Sequence, residues 1–439
     1  MVVIEVDPAR THLGSGGRVG AAAYARPVSD SAPVVVVGAG LAGLGCAQRL
    51  SRSGVEVVVL EAGDAVGGRV RTDVVDGFRC DRGFQLLNPS YPVLKHVVDL
   101  ADLDLKPFGA GIAVARGSRR FVLADPRREP ARLPETLAAP IGTLADKILF
   151  ARWALESLLP VRHLTQRPDR TVAEALDRAR LHGILRTGVV VAFLAGVVAE
   201  REGSTSANFA ALLLRSFLLG SPSLPALGMG RFPEVIAGSL PAGAVRLNTG
   251  VRSVSAHEVT TKDGERIAAR AVVVATDPDS AGRLSGRATP AMKALTTFWH
   301  TAPEPPSRLR FLHLDADARG PVVNTAVITN VAPSYAPAGR PLIATTILGA
   351  DGSADEERRA REQAGTIYGV DTSRWELVRT HVISAALPTV APPLDPRGDV
   401  RTAAGVFLAG DHCDTASIQG ALVSGRRAAS AVLAGRSVA

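Results

Sequence analysis

The chain of 439 residues predicts an α/β protein of two domains, one built on a buried parallel sheet and one of mixed α+β character. Three observations predict it. Four consecutive valines, Val34 to Val37, run straight into a glycine-rich turn and then into a helical pattern. Two further apolar runs, residues 271–276 and 405–411, lie far along the chain. Long insertions of different patterning separate these blocks, so the second domain must be assembled from the insertions.

A continuous apolar β-branched run is the mark of a strand buried on both faces of a parallel sheet. After Val37 come Gly38, Gly40 and Gly43. In a strand-turn-helix unit the first glycine makes the tight turn, the second lets a pyrophosphate approach the backbone, and the third lets the helix pack close to the strand. The following helix, opened by Leu41 and Ala42 and running to Ser51, turns its N-terminal amides and dipole toward the phosphates. Residues 55–60 read as the second strand and end on Glu61, followed by Ala62. A carboxylate there accepts from both hydroxyls of an adenosine ribose and repels a 2′-phosphate, which disfavours NADP. These elements together describe a Rossmann-like dinucleotide-binding unit.

Gly67-Gly68-Arg69-Val70-Arg71-Thr72 continues the unit. A second glycine pair lets backbone amides meet a dinucleotide again, and Arg69 can neutralise pyrophosphate charge. This segment resembles the Arg-rich GG signature of the flavin-containing amine oxidase superfamily, which includes protoporphyrinogen oxidases and phytoene desaturases. The usual upstream Arg is absent, because Val66 stands directly before the doublet. The resemblance implies FAD as the cofactor, and it extends over nearly all of residues 32–439.

Further along, Gly228-Met-Gly-Arg-Phe-Pro-Glu234 precedes a helix, residues 245–251 read as a strand, and residues 259–268 read as a hairpin across Asp263-Gly264. By resemblance the backbone of Val251 contacts the adenine, and residues 271–276 return the chain to the parallel sheet. The run from Gly405 ends in Gly410-Asp411, which is similar to the element that holds the ribityl chain and pyrophosphate. A helix starting near Ile418 then points its N-terminus at the flavin pyrimidine, where it would stabilise charge developing on the reduced ring. The segment 416–426 resembles the plant and cyanobacterial carotenoid desaturases more than the amine oxidases. The expected division is 1–31 as a flexible extension, 32–89, 226–285 and 396–439 as the FAD-binding domain, and 90–225 and 286–395 as the substrate domain.

Composition bounds the function. An apolar content of 46% with ordinary charge describes a globular chain. The three cysteines, Cys46, Cys80 and Cys413, make no paired framework and no metal spacing, which points to a reducing, cytoplasmic compartment. No secretory signal is visible. Residues 187–199 are apolar but shorter than the roughly 20 residues a bilayer span needs. Residues 207–214 and 217–219, broken by Arg215 and Ser216, read as core helices, with a substrate channel or a membrane-docking surface as alternatives. Arginine supplies most of a net charge of +8. The densest cluster, Arg116, Arg119, Arg120, Arg127, Arg128 and Arg132, reads as a solvated loop and leaves peripheral contact with an anionic membrane or an acidic substrate group open. No nucleic-acid module accompanies it.

In the insertions, residues 90–225 read as mainly helical, with a capping box at Thr171 and Glu174. Residues 286–395 mix strands, at 309–314 and 322–329, with a surface helix capped by Ser353 and Glu356. Prolines at 303–306 and 388–393 mark junction loops.

No second dinucleotide fingerprint follows a buried strand, so reducing equivalents are expected from the substrate and leave through oxygen, a quinone or another carrier. The flavin carries the hard step, hydride acceptance at N5. Asp81 and Gln85, in Asp81-Arg-Gly-Phe-Gln85, are candidates for the flavin edge. Asp81 reads as a catalytic base or, alternatively, as an ion-pair or turn residue. His412 is a candidate flavin neighbour; His300, His313 and His381 read as structural. The amine-oxidase subclass usually carries a Lys bonded through water to N5, and residues 307–315 offer Arg308 and Arg310 instead. The expected activity is therefore dehydrogenation of a lipophilic small molecule, similar to carotenoid desaturation. Oxidation of an amine and flavin-dependent polyene isomerisation without net redox change stay open.

Overall fold

A strand with four β-branched side chains has no face to offer water, and the computed structural model, which describes residues 32–396 and 398–435, places it accordingly. Val34–Val37 is the central strand of a five-stranded parallel sheet and is buried throughout. Val34 lies opposite Val57 of Val57–Leu60 on one side and opposite Ala271 of Ala271–Val274 on the other. Val245–Arg246 and Phe407–Leu408 form the edges. Helices Leu41–Ser51 and Ile418–Ala434 cover one face through Leu44, Leu50, Leu422 and Ala428. The other face packs Val35, Val37, Val272 and Val274 on Val259 of a three-stranded sheet (Val251–Val254, Glu258–Thr261, Arg266–Ala268). The extension expected over residues 1–31 lies outside the described residues.

A seven-stranded sheet forms the second layer. Its order is Glu376–Pro388, Met292–Thr301, Leu342–Leu348, Val322–Val327, Leu312–Asp315, Gly111–Arg116, Arg119–Ala124. Neighbours are antiparallel except Leu312–Asp315 against Gly111–Arg116. The hairpin Thr72–Val75 and Phe78–Asp81 is fastened to this sheet through Asp73. Asp73 Oδ2 lies 2.9 Å from His381 Nε2. Because Trp299 Nε1 donates to His381 Nδ1 at 3.2 Å, Nε2 is the nitrogen that carries the hydrogen toward Asp73.

Several expectations need correction. Residues 90–225 hold the two-stranded ribbon 111–124 as well as helices, and this ribbon extends the second sheet. Its arginines are exposed as expected, but they stand on strand ends and turns and not on one loop: Arg116 donates to the Pro140 carbonyl, and Arg120 donates through Nε to Ile367 at 3.1 Å and through Nη1 to Ser118 at 2.6 Å. Residues 207–219 form one unbroken helix, Ala207–Leu219, because Arg215 caps the carbonyls of Leu158 and Leu159 instead of breaking it. Residues 245–251 are two strands in different sheets, Val245–Arg246 and the start of Val251–Val254, with Asn248 at φ +53 where the chain changes direction. The capping box at Thr171 and Glu174 is present with both hydrogen bonds, and the Ser353 hydroxyl accepts from Glu356 N–H as expected. Residues 187–199 fall in a helical stretch, Leu185–Val191 in π geometry and then Ala192–Val198. Among the described residues, no helix is long and apolar enough to cross a membrane.

Candidate functional site

In an open parallel sheet, ligands bind beyond the carboxyl ends of the strands, and the glycine turn after Val37 lies there. Gly38 adopts φ +103 and donates its N–H to the Leu60 carbonyl at 2.7 Å. Gly43 sits so close to that turn that a Cβ would lie 1.9 Å from the Gly38 carbonyl oxygen, so helix and strand touch there. Gly40 is different. It is the N-cap of helix Leu41–Ser51, has ordinary extended geometry (φ −70, ψ 175), and a Cβ built on it meets nothing within 4 Å. No side chain caps this helix and no acid occupies its first turn, so the amides that Leu41 and Ala42 begin are left for an anion.

The second glycine pair closes on the first. Gly67 N–H donates to the Ala39 carbonyl at 2.8 Å, Gly40 and Gly67 form a parallel bridge, and Gly68 is exposed beside Gly40. Glu61 ends the second strand; its Oε2 accepts from Ala39 N–H at 2.7 Å and its Oε1 from Gly63 N–H at 2.8 Å, with Ala62 exposed between them. The approach to Val251 is fastened to the same place, because Thr249 N–H donates to the Glu61 carbonyl at 2.7 Å and Asn248 N–H to Gly63 at 2.9 Å.

The C-terminal elements reach the same cleft. Arg69 Nη2 donates to Asp411 Oδ1 at 2.6 Å and Nη1 to the Ala386 carbonyl at 2.7 Å. Gly410 N–H donates to Ser424 Oγ at 3.1 Å. Ile418 is the first residue of helix Ile418–Ala434, whose cap, Ser417 Oγ, accepts from Gly420 N–H at 3.0 Å.

The three catalytic candidates divide. Asp81 is buried and fully engaged: Oδ1 accepts from Thr72 Oγ1 at 2.5 Å and from Met229 N–H at 2.9 Å, and Oδ2 accepts from Tyr335 OH at 3.0 Å. Burial pushes its pKa up to about 6 against those hydrogen bonds. This is the geometry of a staple joining the hairpin to the 228–230 turn. Gln85 donates to the carbonyls of Arg69 and Arg82 at 2.7 and 2.9 Å and so fixes the turn that carries Arg69. His412 has a 5% exposed side chain; neither ring nitrogen makes a hydrogen bond among the described residues, and Nδ1 lies 4.0 Å from Asp411 Oδ1. Burial lowers its pKa, opposed by Asp411, so the ring is held neutral. Cys413 remains a protonated thiol, because burial raises its pKa to about 11.

Sequence reasoning missed Lys293. Arg308 and Arg310 are exposed, and Arg310 donates to the Pro107 carbonyl. Lys293, on the strand Met292–Thr301, instead donates to the Val198 carbonyl at 3.0 Å and to Thr205 Oγ1 at 3.1 Å. It lines a cavity of about 10 Å³, room for one water, together with Phe209, Leu387 and Ala416, the residue before the Ser417 cap. Burial lowers its pKa, opposed by Glu200 and Glu202. The signal lay in the sequence: a single lysine within an otherwise uncharged strand of a chain that has five lysines.

The chain matches the profile of flavin containing amine oxidoreductases over residues 41–433. It belongs to the flavin containing amine oxidoreductase family. FAD is the cofactor this membership implies, and the residues fit it: an uncapped helix N-terminus, an open space over Gly40 and a carboxylate at the end of the second strand. Curated relatives of this flavoprotein include putrescine oxidase of Kocuria rosea, 46% identical over 71 residues (16% of this chain, 15% of the relative). Another is L-amino-acid oxidase of Crotalus adamanteus, 39% identical over 80 residues (18% and 16%). The chain spans no more than about a fifth of the length of the curated relatives it matches. Among solved structures, putrescine oxidase bound to putrescine superposes with a TM-score of 0.70 at 19% identity, covering 92% of this chain and 99% of the other. A protein from Exiguobacterium sp. 255-15 provisionally assigned as protoporphyrinogen oxidase gives 0.71 at 18% identity, covering 92% and 99%. Reduced UDP-galactopyranose mutase gives 0.67 at 17% identity, covering 92% and 96%. These likenesses establish the α/β fold.

Proposed function

We propose that the protein dehydrogenates a lipophilic small molecule, with oxygen, a quinone or another carrier taking the electrons onward. FAD, when bound, supplies a hydride acceptor at N5 of its ring. The protein's part is to hold and orient. Gly38, Gly40, Leu41, Ala42 and Gly43 receive pyrophosphate, and Glu61 and Ala62 receive the adenosine ribose. Val251 borders the adenine, while Gly67, Gly68, Arg69, Gly410 and Asp411 hold the middle of the cofactor. The helix opening at Ile418 faces the pyrimidine edge. In this reading residues 32–89, 226–285 and 396–439 carry the cofactor, and 90–225 and 286–395 supply the substrate wall.

One observation carries the substrate class. Ala416, at the mouth of that last helix, is embedded in a cluster of Val198, Phe209 and Leu213, against which Val197, Phe217, Val390 and Leu394 pack. The N-terminal end of that helix is bordered mainly by hydrocarbon, with Phe209 the one aromatic and Thr205 and Lys293 the polar side chains lining the adjoining cavity. Peripheral membrane contact fits the same reading: Leu144, Ile148 and Leu155 of helix Leu144–Glu156, with Leu159 and Val161 beyond its end, are 48–63% exposed. A second reading, oxidation of an amine, is favoured by Lys293, the residue type that amine oxidases of this superfamily usually carry near N5.

The test is the visible spectrum of the purified holoprotein, kept anaerobic, on adding a polyene, an amine and a porphyrinogen in turn. Bleaching of the flavin band by the polyene or porphyrinogen, with a product lighter by two hydrogens, supports the proposal. Bleaching by the amine alone moves the assignment to the second reading, and an isomerised polyene of unchanged mass overturns both.

A further inference from the structure

A second cavity, of about 300 Å³, lies between helices Leu144–Glu156, Val172–Arg178 and Ala207–Leu219. That volume is at the lower end of small-molecule sites. Arg167, Arg170 and Arg178 line it, with Trp153 and the alanine face of the third helix opposite. Such a cluster of guanidinium groups normally finds its own carboxylates. Here the nearby acids are committed elsewhere. Asp169 is saturated by four donors: Arg170 N–H at 2.9 Å, Asn208 N–H at 3.1 Å, Ser206 Oγ at 2.6 Å and Leu394 N–H at 2.8 Å. Glu174 accepts from Thr171 N–H, and Asp177 pairs with Arg186. Glu156 is the one carboxylate in the lining, and its ion-pair partner is Arg152, at 3.9 Å. Arg167 Nε is held by Asn208 Oδ1 at 2.7 Å, whereas the side chains of Arg170 and Arg178 make no hydrogen bond or ion pair among the described residues.

We propose that this cavity binds an amphipathic oxyanion, a carboxylate or phosphate carried on a hydrocarbon body. The arginine fork recognises the planar or tetrahedral oxyanion. Trp153 and the alanine face cover the apolar part. The site is distinct from the Lys293 cavity, because helix Ala207–Leu219 stands between them and no lining residue is shared: Phe209 lines the Lys293 cavity, and Ala207, Asn208, Ala210 and Ala211 line this one. The proposal does not depend on which molecule the flavin oxidises.

Isothermal titration of the holoprotein with decanoate, decyl phosphate, decanol and inorganic phosphate tests it. Saturable binding of decanoate or decyl phosphate is expected, and whichever binds tighter identifies the headgroup. The double variant R170A/R178A is expected to weaken that binding at least about 10-fold. R308A, which removes an exposed arginine that neither lines the cavity nor pairs with a residue that does, stays within about 2-fold. Ala175→Phe fills the cavity while keeping every charge and is expected to lower affinity with the flavin band intact. Equal binding of decanol, binding of inorganic phosphate that an alkyl chain does not improve, no saturable binding of any probe, or an unchanged R170A/R178A affinity overturns the proposal.

Discussion

Arg69 and Asp411 are separated by almost the whole described chain, yet Nη2 of one lies 2.6 Å from Oδ1 of the other. The arginine follows the glycine doublet, and the aspartate ends the Gly-Asp element near the C-terminus. The second Nη of Arg69 reaches the Ala386 carbonyl, so one guanidinium joins both cofactor motifs to the second sheet. Asp411 is 6% exposed and Arg69 34%. Arg69→Ala leaves a buried carboxylate without its partner, at a cost of about 1–3 kcal/mol after allowance for the exposed arginine. The variant is expected to unfold at lower temperature and to purify with substoichiometric flavin. Arg69→Lys, which keeps the charge and loses the fork, is expected to fall between. Full flavin content in the alanine variant would remove Arg69 from the cofactor site.

Gly40 and Gly43 separate cofactor space from packing space. Gly40→Val projects into emptiness and changes apoprotein stability by about 1 kcal/mol, the cost of a poor N-cap. It is nonetheless expected to yield colourless protein. Gly43→Val meets the Gly38 carbonyl and is expected to cost about 3 kcal/mol or more. A yellow, stoichiometric Gly40→Val protein would sink the pyrophosphate assignment.

Asp81 makes a pH prediction. Its folded pKa, about 6, lies above the ordinary 3.8, so ionising it opposes the folded state above about pH 6. That penalty, on the order of 3 kcal/mol, is relieved as pH falls from 6 to 4. Asp81→Asn keeps the shape and does not titrate. Its stability advantage over the parent at pH 7 should therefore shrink as pH drops to 4, measured by denaturant midpoints. Flavin reduction in Asp81→Asn is expected to stay within about 10-fold, whereas loss of a general base removes 100-fold or more.

Lys293→Met discriminates the two substrate readings. Under lipophilic dehydrogenation the variant keeps its flavin and reduces it within about 5-fold of the parent rate; under amine oxidation with Lys293 in the chemistry the loss is about 100-fold or greater. Stopped-flow bleaching measures it directly.

The grouping of the glycine turns and acid at one candidate cleft was legible in the sequence because its parts are local and spaced by backbone geometry. A valine run, three glycines and an acid allow few other arrangements, and the structure brings Gly40, Gly67, Glu61 and Asp411 to one cleft. The ribbon 111–124 was not legible, because its arginines do face solvent and mask the short apolar runs between them, whose pairing with Leu312–Asp315 comes from elsewhere in the chain. Residues 245–251 show the same limit: one apolar run feeds two sheets, and only Asn248 in a left-handed conformation marks the break. Lys293 was missed because its place is set by strand pairing, Lys293 opposite Leu387, and not by any neighbour in sequence.

The parallel sheet draws its edge strand Phe407–Leu408, and the helix Ile418–Ala434 that covers it, from the end of the chain. During synthesis, the first strand and its glycine turn leave the ribosome long before these partners exist, with the hydrocarbon of helix Leu41–Ser51 still uncovered on the face that Leu422 and Ala428 will meet. Flavin retention is therefore expected to require residues 407–434, and a chain cut before Ile418 should be a client of chaperones rather than a dim flavoprotein.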